Sequence, residues 1–400
     1  MSGTETDSPN PFIRYRWLLD SYRSAIGRGW ADADFVSLVT RLDKAVTEVS
    51  GKSFEMTPLS RQPGLAAAAS LPTDLLWVKD ETQNVGGSHK ARHLFGVLLH
   101  LAVEDQTEGD LAIASCGNAA VAAAVLARAA DRPLRVFIPT WADPEVVTAL
   151  EEMDATIEVS ERRRGESGDP TVLRMMEAVE HGAVPFSVQG TITPSTLDGG
   201  RTIGWEMAEQ LSRARVAGKV ALFVQVGGGA LAASTWQGLA DGIHHQWLEA
   251  DPVLHTVQTE AAAPLNRAWR ALHAEMDNQP LLEHSEAIDL ALDAAQTEPD
   301  RFMWAWEEVG PTAASGIVDD VTYDWLPVMA AMLRSEGQAT VVTEKMVLRA
   351  NELARTHTGI NVGHTGSAGL AALLDPSLIE YVDRGQHVVV LFTGIERHEA

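Results

Sequence analysis

Cysteine occurs once in the 400 residues, as Cys116, and tyrosine only four times. A single thiol excludes an intrachain disulfide framework and a cysteine-rich zinc cluster, and it fits a reducing compartment, so the cytoplasm is the expected location. Basic residues are scarce: 31 Lys and Arg stand against 55 Asp and Glu, a formal net charge of -24. That shortage argues against a nucleic-acid grip, because neutralising phosphates takes clustered Lys and Arg. The one basic run, Arg162 to Arg164, is offset by Glu161 and Glu166 and reads as a solvated turn. No apolar run is long enough to span a bilayer, and MSGTETDSPNPF at the start has neither a basic nor an apolar targeting segment. Internal repeats and low-complexity tracts are also missing.

What the sequence does have is a 45% hydrophobic content, enough for an extensive core in two domains or in one large domain with a smaller one embedded. Residues 12–49 carry apolar side chains at spacings of three and four, which predicts an N-terminal helical cap. From Leu75 onward, short β-rich runs alternate with helical stretches: LLWVK, LAIAS, LRVFIP, TIEVS, VPFSV, VALFVQV, LHTVQTE and HVVVLF. Such alternation predicts an α/β protein with mainly parallel sheets, whose ligands sit beyond the carboxyl ends of strands. A smaller domain is expected at 93–190, and 1–92 with 191–400 form the larger one. The acidic stretch from Arg270 to Val318 contains Trp304 and Trp306, which are expected to fill core space.

Four segments carry chemistry. In Lys79 to Lys90, a probable strand ends in a glycine turn that puts Lys90 at the start of a helix. The positive end of the helix dipole disfavours a protonated amine there, and only a neutral amine attacks a carbonyl. Ser115-Cys116-Gly117-Asn118 follows the strand LAIAS and precedes an alanine-rich helix. It reads either as an anion seat for a carboxylate or as simple N-capping by Ser115 or Asn118, with Cys116 a small residue and not a nucleophile. Gly227-Gly228-Gly229-Ala230 follows VALFVQ and lets backbone approach a phosphate closely. The same letters satisfy a G-x-G-x-x-A dinucleotide pattern, for which Glu260 lies too far along as the ribose-binding acid. Thr393-Gly394 ends the last strand, where a hydroxyl can meet a ring nitrogen.

In this order, the segments resemble the tryptophan-synthase-β-like superfamily of pyridoxal 5'-phosphate (PLP) enzymes, which includes threonine and serine dehydratases, threonine synthases and serine racemases. The matching parts are K-x-E-x5-G-S-x-K at Lys79 to Lys90, S-x-G-N at Ser115 to Asn118, the triglycine turn and Thr393-Gly394. Weaker matches are DGGRTIGWEM at Asp198 to Met207, SGI at Ser315 to Ile317, and GHTGSAGLAAL at Gly363 to Leu373. The resemblance implies the two-domain fold type II, with twisted, mainly parallel sheets flanked by helices, and PLP as the cofactor. It implies that Lys90 carries PLP as a Schiff base, with His89 beside it, and that Asn118 bonds the 3'-oxygen. Gly227, Gly228, Gly229 and Ala230 would hold the phosphate, and Thr393 would face the pyridine nitrogen. Ser115, Cys116, Gly117 and Asn118 would take the substrate carboxylate. Glu260 matches a position that holds a cation in some relatives, and no other metal ligand is expected.

Departures bear on the reaction. Ala119 stands where many dehydratases have histidine, and Thr393-Gly394 is nearer to threonine synthase, whereas GGGALA resembles the dehydratase turn. His89 resembles tryptophan synthase, but the loop lacks the glutamate that activates indole. The leading expectation is an ammonia-lyase that eliminates a β-substituent from a small amino acid such as serine or threonine, giving a 2-oxo acid and ammonia. The alternatives are a β- or γ-replacement synthase and a non-catalytic PLP-binding protein. A homodimer is expected, with no nucleic-acid or membrane partner.

Overall fold

The computed structural model describes residues 7–166, 168–279, 281–375 and 385–396. The chain divides into two compact units, one of residues 1–57 and 83–202, the other of 58–82 and 203–399. Against the 93–190 expected from sequence, the first unit also takes in the N-terminal helices and the segment with Lys90. The cause is packing: helix Asp20–Gly27 lies on helix Lys90–Val103, and helix Asp32–Ser50 lies on helix Asn118–Ala129.

Ten strands occur among the described residues: β1 Leu59–Arg61, β2 Leu76–Asp80, β3 Leu111–Ala114, β4 Leu134–Pro139, β5 Thr156–Ser160, β6 Val184–Pro185, β7 Val220–Gln225, β8 Val253–Thr259, β9 Ala339–Val342 and β10 His387–Phe392. The first unit holds a parallel four-stranded sheet in the order β5-β4-β3-β6. Helices beside it start at Asp-Pro pairs: Asp143 accepts the Glu145 N–H, Asp169 accepts the Thr171 N–H, and proline takes the first helical position. The expected strand VPFSV shrinks to Val184–Pro185, since Pro185 has no N–H for a ladder.

A buried aspartate ties the N-terminal helices into this unit. Asp198 Oδ1 and Oδ2 accept the N–H groups of Asp20 and Ser21 at 2.9 and 3.0 Å, capping helix Asp20–Gly27 from 178 residues away. His100 Nε2 lies 2.9 Å from Asp198 Oδ2, and the Arg201 guanidinium donates to Oδ1 at 2.6 Å. Burial works to raise the Asp198 pKa, but the His100 hydrogen bond and the Arg201 charge together outweigh it and hold the carboxyl at about 2.

The second unit carries a six-stranded sheet in the order β1-β2-β10-β7-β8-β9, parallel except for the β1–β2 edge pair. Both faces are covered. Leu222, Val224, Val389 and Leu391 enter one core, and Ala221, Phe223, Val388 and Val390 the other. This is why β7 and β10 read as continuous apolar runs rather than alternating ones. Within the unit, Lys79 Nζ is fully buried at 2.6 Å from Glu206 Oε2 and 3.1 Å from Gln210 Oε1.

The tryptophan expectation is corrected. Trp304 is 39% exposed, and the Arg267 guanidinium stacks on its ring at 3.7 Å and on the Trp306 ring at 4.9 Å, with Glu307 pairing the same arginine. A cation over the rings shields them at the surface in place of core packing. No helix among the described residues is long and apolar enough to cross a membrane.

Two stability tests follow from these buried charges. Lys79→Met strands the Glu206 carboxylate in a dry interior and should cost about 3–5 kcal/mol in urea unfolding; a cost below 1 kcal/mol would show that the pair holds nothing. For Asp198, the folded pKa lies below the ordinary 3.8, so its stabilisation is complete above about pH 4 and is lost as pH falls through about 2. The two ends of that window should differ by about 2 kcal/mol, and Asp198→Asn should flatten the slope.

Candidate functional site

In the first unit, two left-handed glycines, Gly86 at φ 64° and Gly87 at φ 72°, turn the chain after Gln83 so that helix Lys90–Val103 begins at Lys90 itself. A side chain at either glycine would be strained there. His89 is the N-cap and supplies no side-chain cap. Ser88 Oγ, buried just before it, has no hydrogen-bond partner among the described residues. One turn beyond Lys90, His93 is buried with its ring edge-on to His89. Its Nδ1 meets the Thr196 carbonyl at 3.0 Å and therefore donates. Burial, followed by the positive charge of Lys90, pushes the His93 pKa down to about 3, so the ring is neutral at ordinary pH.

Helix Asn118–Ala129 packs against the Lys90 helix and also starts without a side-chain cap, with Gly117 as the N-cap residue. The capping role weighed for Ser115 and Asn118 is thus not taken up. Ser115 Oγ instead accepts the Gly117 N–H at 3.4 Å, and a Cβ at Gly117 would meet nothing within 4 Å. Cys116 is half-buried; burial, and then the negative charges of Asp169 and Asp143, push its thiol pKa up, which opposes a nucleophilic thiolate. The structure brings Lys90 and Ser115–Asn118 to the N-terminal ends of two helices packed on each other.

In the second unit, the neighbouring parallel strands β7 and β10 deliver Gly227–Ala230 and Thr393 at their carboxyl ends. Gly229, at φ 98°, is the N-cap of helix Ala230–His244 and has no side chain to cap it. The helix's first N–H groups therefore lack both an intrahelical partner and an N-cap side-chain acceptor. A Cβ on Gly227 would stand 2.6 Å from Asp319 Oδ2 and 3.0 Å from the Ile317 backbone, so any side chain there must push Asp319 aside and crowd Ile317. Thr393 is buried, and its hydroxyl accepts from Gln225 Nε2 at 2.9 Å. Glu260 follows β8 and is exposed, and no cluster of three His, Cys, Asp or Glu side chains suited to a metal exists among the described residues.

Several residues here escape sequence reasoning. Lys79, part of the lysine motif, is a structural partner of Glu206. Asp319 comes to the triglycine turn only through tertiary folding. Gln225 did leave a sign, being the one polar residue of the buried strand VALFVQ.

The defining pattern of the pyridoxal-phosphate dependent enzymes matches residues 52–394, and the chain belongs to that family. It is 27% identical to an L-serine dehydratase of Saccharomyces cerevisiae (strain YJM789) over 225 residues, 54% of this chain and 64% of that enzyme. The match thus spans less than two thirds of the yeast enzyme's length. It is 25% identical to a threonine synthase of Methanosarcina acetivorans over 380 residues, 90% of this chain and 83% of that one. The fold is that of the processed form of threonine deaminase isoform 2 from Solanum lycopersicum, with a TM-score of 0.64, 17% identity and 92% of both chains covered. The cofactor of the family is pyridoxal phosphate, and this chain's groups suit it: an amine at a helix start, a glycine turn opening onto helix N–H groups, and a buried hydroxyl at a strand end.

Gly227→Ala should weaken PLP binding at least tenfold in an absorbance titration, because the added methyl displaces Asp319 or the Ile317 backbone and distorts the turn. Unchanged affinity in a variant with wild-type circular dichroism would remove the phosphate role from this turn.

Proposed function

We propose that this protein is a PLP-dependent lyase that eliminates a β-substituent from a small amino acid such as serine or threonine, releasing a 2-oxo acid and ammonia. The observation that carries the reading is that one unit sets Lys90 and the turn Ser115–Asn118 at the N-terminal ends of two helices that pack on each other, both without a side-chain cap. Relatives named L-serine dehydratase and L-threonine ammonia-lyase support it.

In this reading, the Lys90 amine would hold the cofactor and, as the neutral amine, would take the α-proton of the substrate. The helix dipole eases the neutral form that both tasks require. Ser115, Cys116, Gly117 and Asn118 receive the substrate carboxylate on backbone N–H groups and short side chains, which fixes the Cα–H bond toward Lys90. Asn118 also bonds the cofactor's 3'-oxygen, and His89 flanks it. Gly227, Gly228, Gly229 and Ala230 would hold the phosphate, and Thr393 would face the ring nitrogen. The bound cofactor supplies an electron sink for the negative charge left when the α-proton departs. Glu260 is exposed and is given no part in the chemistry. A cytoplasmic homodimer belongs to the same reading, and the lone half-buried thiol suits a reducing compartment.

A replacement synthase is the second reading, favoured by the long alignment with threonine synthase and by the Thr-Gly that follows β10. Product analysis separates the two. Purified holoprotein should form 2-oxo acid and ammonia from serine or threonine with no co-substrate, whereas turnover that waits for an added nucleophile supports replacement. Lys90→Ala should lose the borohydride-trappable adduct and about 10³-fold in turnover; an adduct that survives the substitution would reject Lys90 as the anchor.

A further inference from the structure

Gln225 is buried at the end of β7, and its side-chain nitrogen makes two hydrogen bonds of 2.9 Å, one to the Gly366 carbonyl and one to Thr393 Oγ1. The carbonyl fixes which way the amide faces, since turning it over would set two oxygens against each other. The Gly366 carbonyl also accepts the Thr393 N–H at 3.2 Å, so one carbonyl holds both residues. This arrangement depends on close approaches: a Cβ on Gly366 would lie 2.7 Å from the Gly394 carbonyl oxygen, and one on Gly369 would lie 2.8 Å from Gln225 Oε1. GHTGSAG is therefore the floor beneath the ends of β7 and β10.

An amide N–H that donates to a hydroxyl oxygen has a directional consequence. The Thr393 oxygen is already an acceptor, so its own proton must act as a donor along another direction. We propose that Gln225 is a positioning residue that commits the Thr393 hydroxyl to donating toward the cofactor's ring nitrogen, and so keeps that nitrogen unprotonated. This rests on the reading above that Thr393 faces the ring nitrogen. A nitrogen that accepts a hydrogen bond without taking the proton draws less charge into the ring than a protonated one does. Charge retained near the substrate carbons favours expulsion of a β-group over transamination.

The test is nitrogen NMR of the folded protein loaded with PLP labelled with nitrogen-15 in the ring. Wild type should show the resonance of an unprotonated, hydrogen-bonded ring nitrogen. Gln225→Leu removes the donor, so the Thr393 hydroxyl loses the bond that orients it, and the resonance should move toward the protonated position. Gln225→Met removes the donor with little change in length; it should keep native circular dichroism and shift the same resonance, with PLP binding weakened about tenfold. Wild-type resonances in both loaded variants would overturn the inference while leaving the Thr393 reading intact. A Thr393→Ala protein whose resonance matches wild type would instead overturn the reading, and the inference with it.

Discussion

Every helix start leaves backbone N–H groups that something must satisfy, and this protein does so in two contrasting ways. Several helices of the frame have their starts closed by a side chain, although those at Pro63 and His364 do not. Asp143, Asp169 and Thr343 cap their own helices, Asp198 reaches across to the helix at Asp20, and Gln258 Oε1 accepts the Leu265 and Asn266 N–H groups. At Lys90, Asn118 and Ala230 the N-cap residues are His89, Gly117 and Gly229, and none supplies a side-chain cap. Two of those three starts follow directly on parallel strands, β3 and β7. Under the proposed function, the positive ends of those dipoles would meet anionic groups of the cofactor and substrate and would ease the neutral form of the Lys90 amine.

Much of the fold was legible because buried parallel strands must be apolar on both faces. LRVFIP and HVVVLF form strands at the bounds expected, and TIEVS does so as a partly exposed edge strand. β1 and β9 were not anticipated: Leu-Ser-Arg is a polar edge segment, and Ala339–Val342 is four residues long, too short for periodicity to mark. The tryptophans misled for another reason. An indole is equally content under a guanidinium, and composition alone does not reveal that Arg267 lies near in space.

For the candidate site, sequence fixed the glycine turns and the lysine's place at a helix start, because glycine tolerates the left-handed backbone that such turns demand. It did not reveal what side chains meet across the fold. Lys79 stands eleven positions before Lys90 in the same motif, yet it is buried against Glu206, 127 residues away. Asp319 reaches the triglycine turn through a separate segment, and nothing in its neighbourhood of sequence marks that contact.

Gln225 shows how a buried polar residue can be informative through its imperfection. Its Oε1 has no hydrogen-bond partner among the described residues, although the side chain lies in the interior. Leaving a buried acceptor unpaired costs about 1–3 kcal/mol, a sizeable part of the roughly 5–15 kcal/mol that holds a domain together. Methionine or leucine would fill the same space without that cost. Were packing alone at stake, an apolar side chain would serve better at this strand end, where its neighbours in β7 are apolar. What the amide adds is a donor of fixed direction against Thr393. The Gly366 carbonyl holds the nitrogen face, so the amide N–H reaches Thr393 from one direction, which is what the proposed positioning role needs.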